Sequence, residues 1–175
     1  MRIITEEMGL SQGRLCVGIK TGIPPVGDGF YALTVMNEVF GGGPDSRLFA
    51  NIRVRENLCY YVHSTVYRFK AMILAEAGIG RDDFNRVTEM IGAQLEGMKR
   101  GITDDELRTA KAGLVKRMRG MFGKPQAIMD FYLAQHMLSD GDGADGAIGR
   151  INGVAAGDCA YAAESAVIDA VYFLS

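Results

Sequence analysis

The sequence predicts an α+β domain, in which an antiparallel or mixed sheet is covered by helices on one face. Three observations carry that expectation. Residues 14–20 set Leu15, Val17 and Ile19 against Arg14, Gly18 and Lys20, the period of two that a half-buried strand requires. Two further β-rich runs, 59–68 and 72–79, lie only a few residues apart, as in an antiparallel hairpin. Around them, apolar residues recur every three or four positions, the helical period.

Taken in chain order, the first strand ends at Gly22 and the Pro24-Pro25 pair. A helix over 28–40 follows, with Phe30, Leu33, Asn37 and Phe40 along one side. Gly41, Gly42 and Gly43 are expected to end it by taking up a left-handed C-cap, and Pro44 stands where the helix cannot continue. Asp45 or Ser46 then caps a second helix reaching about residue 57, with Leu48, Phe49 and Ile52 inward. Beyond the hairpin, Asp82-Asp83 opens a helix carrying Phe84, Val87, Ile91, Leu95 and Met98 on one stripe, and Gly101 stops it. Thr103 and Glu106 have the spacing of a capping box. The helix they start turns Leu107, Ala110, Leu114, Met118 and Met121 inward, and Arg108, Lys111 and Arg119 toward water. Gly123 and Pro125 break or kink it before a helical stretch to Leu138. SDGDGADG reads as a loop, 154–165 as a helix of small residues and 167–174 as a last strand.

Residues 1–175 form one domain, with no internal repeat or linker. The first and last predicted strands lie close to the chain ends, the arrangement expected of a segment of something longer. With 48% apolar and 23% charged residues the composition is that of an ordinary folded protein. The net charge is −2 and the basic residues look scattered, which argues against a nucleic-acid-binding face. No apolar run approaches the roughly 18 residues of a membrane span. Glu6 and Glu7 fall where a signal peptide would be apolar. Cys16, Cys59 and Cys159 are odd in number and lack CxxC spacing, as expected of reduced and mostly buried thiols in a cytoplasmic protein.

The chemistry concentrates in residues 40–61, FGGGPDSRLFANIRVRENLCYY. Arg53 stands seven residues before Tyr60. A helix delivering an arginine and a strand delivering a tyrosine can set both at one sheet edge, where a backbone carbonyl is gripped. Such an arrangement points to the handling of peptide, not yet to its cleavage. The glycines do not read as a phosphate loop, because no lysine-serine pair follows and no strand leads in. Counted from Asp140, the SDGDGADG segment puts Ala144, Asp145 and Ile151 where a calcium loop needs a ligand, a glycine and a glutamate. His63 is read as a cross-strand surface residue on the face opposite Tyr60, and His136 as the polar flank of a helix. Arg68 and Lys70 are read as a solvated hairpin turn, and Cys59 as a buried thiol. The strand over 13–22 is the one expected to offer an edge to an extended peptide.

The segments QGRLCVGIKTGI (12–23), FGGGPDSRLFANIR (40–53), LCYYV (58–62), Arg68-Phe-Lys70, ITDDELRTAKAGL (102–114) and VIDAVYFL (167–174) together resemble the C-terminal half of the M16 (pitrilysin, insulinase-like) peptidases. The resemblance covers nearly the whole chain, and is nearest to the M16-like subgroup associated with elongation factor P modification. It implies a LuxS/MPP-like half of an M16 fold, paired with a second half into a clamshell around a peptide or protein substrate. The partner half, or partner subunit, carries HxxEH and a downstream glutamate that bind zinc. The half without zinc supplies an arginine and a tyrosine, which fall on Arg53 and Tyr60 here. The acidic residue usual after that arginine is Val54, and Cys59 and Tyr61 replace a glycine or serine near the tyrosine.

Zinc-assisted amide hydrolysis builds negative charge on the carbonyl oxygen, which tyrosine and arginine donors stabilise. Neither group activates water, which takes a metal with three protein ligands and an open position. The chain has only His63 and His136, neither of them in HxxEH or its inverse. On this reading the chain alone is inactive as a peptidase, holds no metal or other cofactor, and depends on zinc bound elsewhere. The alternative is an M16-fold scaffold or protein-binding module with no proteolysis.

Overall fold

The computed structural model describes residues 1–139 and 141–175. Five strands form one mixed sheet: β1 (Arg2–Glu6), β2 (Gly13–Lys20), β3 (Cys59–Tyr67), β4 (Met72–Ile79) and β5 (Val167–Leu174). Their spatial order is β1-β5-β2-β4-β3, with β1 parallel to β5 and every other pair antiparallel. The helices are α1 (Asp28–Asn37), α2 (Phe84–Lys99), α3 (Asp104–Met121), α4 (Pro125–Met137), α5 (Ala144–Gly153) and α6 (Ala156–Glu164). Two π-wound turns, Glu38–Gly42 and Phe49–Arg55, join α1 to β3.

Alternation along the strands sorts the two faces. Leu15, Val17 and Ile19 of β2, Ile73, Ala75, Ala77 and Ile79 of β4, and Val171 and Phe173 of β5 are buried with the helices. The expected helix faces join them: Leu33 and Phe40, then Leu48 and Ile52, then Val87, Ile91, Leu95 and Met98, with Ala110 and Leu114 from α3. Phe84 packs on Phe173, with ring centroids 4.9 Å apart. The other face, with Arg14, Cys16, Lys20, Glu76, Tyr61 and His63, is half-buried or exposed. Helices therefore cover one face only, as the patterning predicts.

The capping box forms: the Glu106 amide donates to Thr103 Oγ1 at 3.2 Å and the Thr103 amide to Glu106 Oε2 at 2.8 Å. Arg47 adds a two-pronged clamp, Nε to Oε1 at 2.7 Å and Nη2 to Oε2 at 2.8 Å, and donates again to the Gly101 carbonyl at 3.0 Å. These bonds, Arg47 first, hold the Glu106 carboxyl down at about 2. Gly101 stops α2 with φ +114° as expected.

Several expectations are corrected. Gly41–Gly43 do not end a helix by left-handed geometry, since none of them has positive φ. They are there for close approach. A Cβ on Gly41 would lie 2.5 Å from Ser64 Oγ, and one on Gly43 2.6 Å from Glu38 Oε1. The helix after them is not capped by the side chain of Asp45 or Ser46, and Ser46 Oγ is buried without a partner among the described residues. Arg68 is no solvated turn residue: its Nε donates to the Pro25 carbonyl at 2.7 Å, its Nη1 to Gln135 Oε1 at 2.6 Å, and it stacks on Phe30. The strand around 13–22 is no edge, because β2 is paired on both sides. The edges are β1, which periodicity did not reveal, and β3. Part of the expected 139–146 loop and the residues after it form α5, while Asp140, first position of the calcium-like loop, lies outside the described residues.

Candidate functional site

Two buried polar residues fix where β3 meets the helix layer. Asn37, at the end of α1, donates from Nδ2 to the Ser64 carbonyl at 3.2 Å and accepts from Ser64 Oγ at 2.7 Å. Each satisfies the other, so neither costs an unpaired group. The segment leading into β3 is pinned from the other side. Asn51 donates to Gln94 Oε1 at 3.0 Å, Glu56 pairs with Arg86, and the Leu58 amide returns to the Ile52 carbonyl at 3.0 Å. Ile52 is fully buried, so the residue after it, Arg53, faces partly outward over Phe49, 5.6 Å from the ring centroid.

Tyr60 owes its position to a break in register. Val62 and Ser64 point into the core, and strict alternation would send Tyr60 after them. Instead Cys59 opposes Ile79 and Tyr61 opposes Gly78, which leaves Tyr60 as an extra residue. Such a bulge re-aims a side chain. Tyr60 is 67% exposed while Cys59 is buried in its place. Asn57, at φ +52°, makes the turn into the strand. The result is a shallow cleft of about 270 Å³, lined by Asn57, Leu58, Cys59, Tyr60, Gly80 and Asp83.

Arg53 reaches this region electrostatically. Burial pushes the Cys59 thiol up, and the Arg53 charge pulls it part of the way back. Tyr60 thus lines the cleft with Cys59 on the edge strand, and Arg53, on the π-wound turn, acts on the same thiol through its charge. Their chemistry is that of hydrogen-bond donors to an oxygen.

The other sequence candidates lie elsewhere. His63 is on the open face, its Nε2 3.4 Å from Glu76 Oε2, in a cross-sheet row with Cys16 and Tyr172. Tyr61 shares that face and stacks near His63 at 5.9 Å. His136 is exposed on α4. Among the described residues no three His, Cys, Asp or Glu side chains converge as a metal site, so their donor set does not fit zinc. Cys59 and Cys159 are buried and Cys16 is half-buried. Burial pushes the Cys159 thiol up to about 12, away from the nucleophilic thiolate form. Among the described residues no helix is long and apolar enough to cross a membrane. The bulge went unread in the sequence. The Leu58-Cys59-Tyr60-Tyr61-Val62 run was the signal for the bulge, since it holds one residue too many for alternation.

The sequence profile of the peptidase M16 inactive domain matches residues 2–114. The probable inactive metalloprotease YmfF of Bacillus subtilis is 27% identical over 172 residues, 98% of this chain and 40% of its own. The uncharacterized zinc protease YmxG of the same organism is 34% identical over 111 residues, 62% of this chain and 27% of its own. A conserved protein of Enterococcus faecalis superposes with a TM-score of 0.91 at 30% identity, over 100% of this chain and 42% of that one. The chain therefore spans less than half the length of these relatives. It belongs to the peptidase M16 inactive-domain family.

Proposed function

We propose that this domain is the non-catalytic half of a zinc-dependent M16-type peptidase, lending Arg53 and Tyr60 to a composite peptide site. The reading is carried by one observation: the β-bulge turns Tyr60 out of the core into a cleft beside Cys59, the thiol on which the Arg53 charge acts. A phenol re-aimed at a structural cost is held for something outside the domain. In the reaction Tyr60 and Arg53 donate to the substrate carbonyl as charge grows on its oxygen, and Arg53 holds the neighbouring backbone. The zinc and its activated water belong to the partner half or subunit, because the donors here do not fit a metal. The similarity to chains more than twice this length supports a partner of that kind.

The test reconstitutes the domain with the zinc-bearing half of its parent protein and follows peptide turnover. Tyr60→Phe is expected to lower kcat by about 10²–10³ with little change in stability, as for loss of one oxyanion donor. Unchanged turnover would sink the catalytic role.

A second reading is favoured by the similarity to YmfF, named as an inactive metalloprotease: an M16-fold binding module with no proteolysis. In the same reconstitution it is recognised by peptide binding without turnover, weakened by Arg53→Ala.

A further inference from the structure

The chain has more carboxylates than cations, yet residues 107–129 hold six of the nineteen Lys and Arg and not one Asp or Glu. All twenty-one acids face the thirteen cations elsewhere, so the molecule is electrically lopsided. The scatter of basic residues inferred from the sequence fails in three dimensions. Arg108, Lys111, Lys116 and Arg119 recur at helical spacing along α3 and line one open groove of about 550 Å³, with Ala112, Val115 and Asn152 of α5. From Arg108 to Arg119 the stripe runs about 16 Å.

Ordinary structural roles account for only part of it. Arg117 turns away to the buried Glu38, Arg108 pairs with Asp105, and Lys111 donates to the Asn152 carbonyl at 2.9 Å. Only Arg119 lies in the last turn, where a helix dipole favours a cation. The side chains of Lys116 and Arg119 make no hydrogen bond or ion pair among the described residues. Four like charges on one stripe repel one another, a tension that a ligand with complementary charge relieves.

We propose that the groove between α3 and α5 docks an acidic polypeptide segment, with carboxylates on Lys116 and Arg119 and a small apolar side chain over Ala112 and Val115. The shape selects this occupant. A membrane needs bulky apolar side chains protruding beside the cations, whereas the apolar residues here are Ala112 and Val115. Single-stranded nucleic acid stacks on aromatic rings, and no aromatic residue lines the groove. The groove is on the helical side, since α3 packs mainly on α5, α1, α4 and the Glu38–Gly42 turn. The site is thus separate from Arg53 and Tyr60, and its fate does not depend on theirs.

Fluorescence anisotropy of a labelled poly-glutamate peptide on the intact chain at low salt tests this. Wild type is expected to bind, and to weaken as salt rises. Lys116→Glu/Arg119→Glu is expected to weaken binding by at least ~10-fold, while Arg2→Glu/Lys70→Glu, the same change in net charge elsewhere, changes it less than ~2-fold. Circular dichroism and Tm verify folding, and Lys116→Gln/Arg119→Gln replaces the reversal pair if that pair misfolds. No binding by wild type, equal loss in the control pair, or capture by phosphatidylserine vesicles but not by the peptide overturns the proposal.

Discussion

The two faces of the sheet are built from the same strands, and they differ in almost everything else. On the helix side Leu15, Val17, Ile19, Ile73 and Ile79 are fully buried in the apolar core. On the other side the same strands carry Arg14, Cys16, Lys20, Glu76, Tyr61 and His63, with polar partners and solvent. One face holds the fold together and the other is left free to meet something. The contrast is a consequence of the period of two, which lets one chain segment serve both ends.

The largest expected effect comes from breaking the covered side. Phe40 is fully buried where α1 runs into its π-wound turn. Phe40→Ala is expected to cost about 3–5 kcal/mol in chemical denaturation, from lost burial and the cavity left behind. A loss below ~1 kcal/mol would show that the helix layer collapses around the gap.

Next comes the polar clamp behind the covered face. Glu106→Gln keeps the shape but weakens the bonds to Arg47, and is expected to cost about 1.5–3 kcal/mol, less whatever solvent screening removes at this partly exposed site. The pH dependence has a fixed sign. The folded carboxyl titrates at about 2 against an ordinary 4.5. Its contribution is therefore complete above about pH 4.5 and declines as pH falls from there toward 2. Wild type and Glu106→Gln should converge in Tm over that window. A gap that stays constant from pH 6 to pH 2 would assign the loss to packing.

The smallest effect belongs to the open face. His63 is half exposed and its contact with Glu76 is at the surface. His63→Ala is expected to change stability by no more than about 0.5 kcal/mol. A larger loss would mean that this face is less free than its exposure indicates.

Much of this contrast was legible beforehand, and the misses share one cause. A period of two revealed β2, and β3, β4 and β5 were read as β-rich runs, because each has a covered face that calls for apolar strand formers. β1 was missed because Arg2–Glu6 is mostly exposed on both faces, so nothing imposes a pattern on it. α5 was missed behind glycines and aspartates that read locally as a loop, and is held by Arg150 pairing with Asp142 and Asp28, contacts that sequence does not order. The candidate site was half legible. Arg53 and Tyr60 could be named, but their relation to Cys59 depends on a bulge.

By itself the sequence determined the fold class, the covered face of each main element, the capping box and the family, since these follow from local periodicity, local hydrogen bonding and motif. Tertiary structure alone decided which strands are edges, why Gly41 must be small, that Tyr60 faces out and that four cations share a groove. Those are relations between segments distant in the chain, and pairing across the sheet and packing between helices set them, not the neighbours of any one residue.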